Sequence, residues 1–223
     1  MGTAIGDILP LALGVAISPI PIIAAILMLL TPKAGSTATS FTAGWVLGIA
    51  GGYAVLVVVA SVVGLGTSSG GSATSATIKI VLGVLLLLLA AKQWRSRPAP
   101  GERPQMPAWL VAIDKVTPAK AFGLGVLLSV VNPKNLLMIV GAAVAVAQLG
   151  VSGATLTVAG VVFTVLAAST VAIPVIAYFA ARDRVTGWLN NLKTWLTANN
   201  AAVMATLLLV IGVVMIGKGL GGY

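Results

Sequence analysis

A lysine follows a proline in the middle of an apolar run, within Val131-Asn132-Pro133-Lys134-Asn135. A cation at the centre of a bilayer costs about 2.5–3.5 kcal/mol on insertion scales. Proline removes a backbone donor and breaks the helical hydrogen-bond ladder. Ser18-Pro19-Ile20-Pro21 interrupts an earlier apolar run in the same way. Two broken hydrophobic segments in matching places are typical of the binding site of a membrane transporter.

Each interruption has the residue types that begin a helix. Serine and asparagine are favoured N-caps, and proline is favoured at the first helical position. Ser18-Pro19 and Asn132-Pro133 are therefore predicted to start half-helices in the middle of the membrane. Each start presents the positive end of a helix dipole, and two such starts facing each other would form an anion site.

Lys134 would add a full positive charge to this site. The acidic residues of the chain all lie near span ends or in loops: Asp7, Glu102, Asp114 and Asp183. Because none of them is placed to neutralise the lysine, its expected partner is an anionic ligand. The predicted substrate-binding residues are Ser18, Pro19, Pro21, Asn132, Pro133, Lys134 and Asn135. In the alternative interpretation the prolines are simple kinks, and Lys134 rests on backbone carbonyls or reaches water.

The composition places the whole chain in a membrane. Of 223 residues, 59% are hydrophobic and 8% are charged, whereas soluble domains have about 25% charged residues. There is no cysteine or histidine, so thiol chemistry and the commonest metal ligand are absent. We expect no metal, no cofactor and no enzymatic activity. The net charge of +9 is interpreted as a set of topology signals, not as a surface for nucleic acid.

The hydropathy pattern predicts an all-α protein of six transmembrane helices. The spans are residues 5–30, 39–65, 76–94, 119–148, 154–181 and 200–218. Three connecting loops contain basic residues (31–38, 95–118 and 182–199), and two contain no charge (66–75 and 149–153). The positive-inside rule then predicts a cell-membrane protein with cytoplasmic basic loops and both termini outside. The first run lacks the basic start of a signal peptide and is expected to remain as a span.

The chain is predicted to form a single membrane domain, residues 1–223, made of two similar halves. A first three-helix repeat covers residues 1–97, a cytoplasmic linker covers 98–117, and a second repeat covers 118–223. Short matches support the division, because Val15-Ala16-Ile17-Ser18-Pro19 resembles Ser129-Val130-Val131-Asn132-Pro133. Three spans per half predict an inverted repeat with broken first and fourth helices.

Residues 184–198 have apolar side chains at helical spacing, among them Trp188 and Trp195. This pattern predicts a cytoplasmic amphipathic helix that lies in the headgroup layer and is anchored there by its tryptophans.

The chain resembles the LysE exporter superfamily through the motif Asn132-Pro133-Lys134, the Ser-Pro-x-Pro break and the basic central loop. Within it, the chain is most similar to the peptidoglycolipid addressing protein (GAP) family of actinobacteria. Ser18-Pro19-Ile20-Pro21 stands where amino-acid exporters carry Gly-Pro and polar residues, which argues against an amino-acid substrate. The resemblance implies export of glycolipids or other lipid-linked components of the cell envelope.

Three functions follow as hypotheses. The first is a lipid exporter or flippase that works by alternating access, with membrane lipids and an anionic lipid or glycolipid substrate as its partners. The second is an exporter of a small soluble solute, such as an amino acid or an ion. The third is a scaffold that transports nothing itself and supports a partner lipid exporter. A homodimer or a larger lipid-export complex is compatible with each of them.

Overall fold

The computed structural model describes residues 2–63, 71–98, 110, 113–149 and 153–221. Helices account for all the regular structure in these ranges. They are α1 (Gly2–Ala16), α2 (Pro19–Leu29), α3 (Ala34–Val62), α4 (Gly71–Arg95), α5 (Pro118–Val130), α6 (Pro133–Ala147) and α7 (Gly153–Leu220), with a 3-10 turn at Ile113–Lys115. Most of the predicted linker 98–117 lies outside the described residues.

Three of these helices, α3, α4 and α7, are long and apolar enough to cross a membrane. The pair α1 and α2 bends by 52°, and the pair α5 and α6 bends by 62°. Each pair passes the same test as one broken span, which raises the number of candidate spans to five. The protein is therefore an all-α membrane protein, and its first and fourth predicted spans are broken as expected.

The last helix folds back on itself. Thr170 donates a hydrogen bond to the carbonyl of Ala16, while Ile211 packs against Gly14, two residues away in α1. Thr170 and Ile211 would lie about 60 Å apart in a straight helix. The turn occurs at Ala181, whose backbone angles (φ −152°, ψ 53°) are not helical. Thus α7 consists of two arms, residues 153–180 and 182–220, which correspond to the predicted fifth and sixth spans.

The two ends of the chain meet. Lys218, near the end of α7, forms an ion pair with Asp7 of α1 at 2.6 Å. The beginning of α1 and the end of α7 therefore lie at the same end of the bundle, as an even number of passes requires. With the arms of α7 counted separately, the two bent pairs, α3 and α4 give six segments, the number of predicted spans. Lys218 lies outside the three basic loops, and the ion pair gives it a nearby carboxylate.

The predicted amphipathic segment lies between the Ala181 turn and the last span. Residues 184–198 are helical, with Leu189 and Leu196 buried while Trp188 and Trp195 are exposed. They are followed by the last span, and residues 197–202 between the two contain no glycine or proline. The position of this segment in the headgroup layer stays a prediction.

Glycines bring α3 and α5 into backbone contact. A Cβ on Gly44 would collide with the carbonyl of Phe122, and one on Gly125 would collide with that of Phe41. Small residues permit this close approach between membrane helices. The crossing holds a span of the first half against the half-helix that leads to the second break, and so fixes the position of that break.

Candidate functional site

The two breaks begin new helices at the predicted residues. Ser18 and Asn132 are both N-caps with extended backbone, and each is followed by a proline at the start of α2 or α6. The Asn132 side chain caps α6, because its Oδ1 accepts a hydrogen bond from the backbone N–H of Lys134 at 3.1 Å. The Ser18 side chain makes no such cap, and its hydroxyl is free to bond elsewhere.

Lys134 reaches from the second break to the first. Its side chain is 3% exposed, and its ammonium donates to the Ser18 hydroxyl at 2.6 Å, to the Ile17 carbonyl at 3.3 Å and to the Gly14 carbonyl. An ammonium has three donors and no acceptor. All three donors of Lys134 are therefore satisfied by the end of α1 and the residues that follow it.

Prolines explain why these carbonyls are available. The Ile17 carbonyl would normally accept from the residue four positions later, but Pro21 has no backbone N–H. The N–H of Ser18, which would serve Gly14, bonds to Ala16 at 2.8 Å instead. The C-terminal end of α1 therefore has carbonyl oxygens that no backbone N–H satisfies, and it has the negative end of the helix dipole. A cation is favoured at that end.

This geometry changes the expected role of the helix starts. The sequence predicted that Lys134 would add its charge to two positive helix starts and would wait for an anionic ligand. In the structure the ammonium faces the negative end of α1, and protein oxygens take the place of that ligand. This matches the alternative in which Lys134 rests on backbone carbonyls. Binding of an anion by Lys134 stays a prediction, and it requires the ammonium to leave one or more of these oxygens.

Asn135 completes what we call the break network, formed by Lys134, Ser18 and Asn135. Its Oδ1 accepts from the Ser18 hydroxyl at 3.3 Å, and its Nδ2 donates to the Leu128 carbonyl at 3.0 Å. Asn135 and Ser18 are both buried. The network therefore connects α5, α6 and the first break through side chains that are shielded from the surface.

The remaining predicted residues determine the backbone conformation at the two breaks. Pro19 and Pro21 are buried within the core, whereas Pro133 is exposed and Asn132 is partly exposed. The structure thus brings Ser18, Lys134 and Asn135 together and leaves the others as the residues that shape the two breaks.

Several participants were not identified as site residues from the sequence, among them Gly14, Ile17 and Thr170. Gly14 supplies a carbonyl to Lys134, and Thr170 donates to the Ala16 carbonyl at 2.5 Å from the first arm of α7. Thr170 bonds to a neighbouring helix, as polar side chains in membrane helices commonly do. The prolines signal only part of this, since Pro19 and Pro21 free the carbonyls of Val15 and Ile17 and not those of Gly14 and Ala16.

Carboxylates lie away from the network where they are described. Asp7 is paired with Lys218, and Asp183 is exposed just after the Ala181 turn. Glu102 and the side chain of Asp114 lie outside the described part of the chain. Within that part, no group of three or more His, Cys, Asp or Glu residues could hold a metal ion.

Comparison with known proteins gives one match. A family model described as Sap, sulfolipid-1-addressing protein, matches residues 8–221. No curated protein and no solved structure matches the chain. The matched range contains both breaks and every helix that contributes to the network, so the chain belongs to the Sap, sulfolipid-1-addressing protein family.

Proposed function

We propose that the protein exports or flips an anionic lipid across the cell membrane. The family description names a sulfolipid, and a sulfated headgroup is a negative group that an ammonium binds well. The observation that carries the proposal is the buried Lys134 ammonium, held between two broken spans. Intramembrane lysines are costly and are a mark of substrate pathways.

In this proposal the break network holds the two halves of the chain together until substrate binds. Every hydrogen bond of the Lys134 ammonium runs from the second half of the chain to the first. An anionic headgroup that reached the ammonium would compete with neutral carbonyls and a hydroxyl, and it alone would add the attraction between opposite charges, which is strong in a medium of low dielectric constant. Substrate would thereby weaken the link between α6 and the end of α1 and favour a second arrangement of the halves.

The remaining parts of the hypothesis fit this scheme. The element order repeats, since a bent pair is followed by two spans in each half. An inverted relation between the halves would let the same motion open the site to either side. We place the basic loops in the cytoplasm and both termini outside, and we assign no enzymatic step to the protein.

Reconstitution in liposomes tests the proposal. The assay follows movement of a labelled sulfated glycolipid between leaflets for wild type, Lys134→Ala and the control Lys193→Ala. Lys193 contacts only Asn190 of its own helix among described hydrogen bonds, so its removal should leave transport unchanged. We expect Lys134→Ala to abolish transport.

Loss of Lys134 also leaves buried carbonyls unpaired, at about 1–3 kcal/mol each, so folding is checked in parallel. Lys134→Gln retains donors without the charge and should fold but not transport. If Lys134→Gln transported lipid as fast as the wild type, transport would not depend on the charge of Lys134. A wild-type protein that moves no lipid, with variants that behave identically, would favour the scaffold hypothesis.

A further inference from the structure

A groove between α3 and the first arm of α7 opens sideways on the surface of the bundle. Its volume is about 460 Å³, within the range of about 300–1,000 Å³ that is usual for ligand pockets. The lining is almost entirely apolar and includes Ala54, Val58, Val161 and Val165. The three valines are among the most exposed apolar side chains of the protein. In a membrane protein such a surface faces lipid chains, so the groove opens into the bilayer.

One polar group in the groove lacks a partner. Tyr53 lines the groove and is 5% exposed, and its hydroxyl has no hydrogen-bond partner among the described residues. The ring is fixed in place by stacking on Phe163, with centroids 5.4 Å apart, and it fills the space that Gly160 leaves open. A buried hydroxyl without a partner costs about 1–3 kcal/mol. Within the hydrocarbon core water is not available to satisfy it.

We propose that this groove binds an acyl chain of the transported lipid, and that the Tyr53 hydroxyl donates a hydrogen bond to an ester or amide carbonyl of the same molecule. This inference rests on the proposed function. A lipid is the occupant that supplies both an apolar chain and a polar carbonyl inside the bilayer. No soluble partner can reach a groove that faces hydrocarbon.

The groove lies beside the second break. Tyr53 follows Gly52, which packs against Val130 and Ile139 on the two sides of that break. From there the lining continues along α3 to Val58 and along the first arm of α7 between Leu156 and Val165. One lipid can therefore place its headgroup near the break network while its chain occupies the groove.

Photo-crosslinking on the purified full chain in lipid nanodiscs tests this site. The probes are a sulfated glycolipid and a phosphatidylcholine that bear the same diazirine-modified acyl chain, and the labelled residues are mapped by mass spectrometry. We expect the sulfated probe to label residues 50–58 and 156–165 preferentially. Ala54→Trp fills the groove and should reduce labelling by about tenfold or more, since each 1.4 kcal/mol of lost binding is a factor of ten.

Val55→Trp is the matched control, because Val55 is the next residue of α3, is exposed and does not line the groove. The groove of Val55→Trp should be labelled as strongly as that of the wild type. Tyr53→Phe removes only the hydroxyl and should weaken labelling about two- to tenfold, the effect of one hydrogen bond of about 0.5–1.5 kcal/mol.

Equal labelling by both probes would overturn the inference, because the groove would then hold bulk lipid. Unchanged labelling of Ala54→Trp would overturn it as well. Preferential labelling of the groove by a protein that fails to transport would support the site and count against the proposed function alone. Lipid transport by a protein whose groove is not labelled would count against the site and support the proposed function.

Discussion

The ammonium nitrogen of Lys134 lies 2.6 Å from the hydroxyl oxygen of Ser18, across the contact between two broken spans. The same hydroxyl donates to Asn135 at 3.3 Å. Ser18 is therefore the middle member of the break network, accepting from one residue of α6 and donating to the next. The pairing joins the two motifs that the sequence marks most clearly, although they are more than a hundred residues apart.

Replacing Ser18 with alanine should destabilise the protein by about 1–3 kcal/mol, because one buried donor of Lys134 loses its acceptor. The midpoint of thermal unfolding in detergent measures this loss. Ser36→Ala is the control, since the Ser36 hydroxyl bonds only to Lys33 at an exposed position. An unfolding midpoint of Ser18→Ala equal to that of Ser36→Ala would contradict the network.

Replacing Pro21 with alanine restores an N–H that can reach the Ile17 carbonyl. We expect α1 and α2 to bend less and Lys134 to lose an acceptor, so lipid transport should fall while the protein stays folded. The liposome assay reads out the effect. Pro10→Ala is a matched control, because Pro10 lies inside α1 and away from the break. Transport that falls equally in both variants would show that the position of the proline is unimportant.

The ion pair between Asp7 and Lys218 should contribute modestly to stability. Both side chains are about one third exposed, so a double-mutant cycle with Asp7→Asn and Lys218→Gln should give a coupling of about 0.2–1 kcal/mol. High salt should reduce this coupling. Asp183→Asn, at an exposed position near the Ala181 turn, should leave the unfolding midpoint unchanged. A coupling of zero at low salt would argue against this meeting of the chain ends.

The topology can be tested directly, because the chain has no cysteine. Single cysteines in place of Gly2, Gly221 and Ser96 report on the two termini and on the end of α4. A membrane-impermeant maleimide should label the first two in intact cells and the third only after lysis. Unequal labelling of Gly2→Cys and Gly221→Cys would mean an odd number of passes.

The positions of the breaks were predictable from the sequence because each joins an N-cap residue to a proline. Ser18-Pro19 and Asn132-Pro133 each begin a new helix, whereas Pro10, which follows a leucine, lies inside α1 without a break. The spans were equally predictable, since the length of an apolar run is fixed by the thickness of the bilayer. Even the 68-residue α7 contains the two predicted spans on either side of Ala181.

The direction of the Lys134 side chain was not predictable. Its neighbours in sequence place it at the start of α6, but its hydrogen-bond partners belong to α1, over one hundred residues away. Which end of a helix dipole it meets depends on how the two broken spans pack, and no local pattern records that packing. The same holds for Thr170, whose partner Ala16 lies in another helix.

The contact between Gly44 and Gly125 restricts how the molecule can move. Because α3 and α5 meet backbone to backbone there, the two halves cannot simply separate at this crossing without opening a void. In the proposed transport cycle, a rotation about the crossing would keep these backbones in contact. We therefore expect bulky residues at Gly44 or Gly125 to block this rotation and with it the proposed transport, even where the lipid still binds.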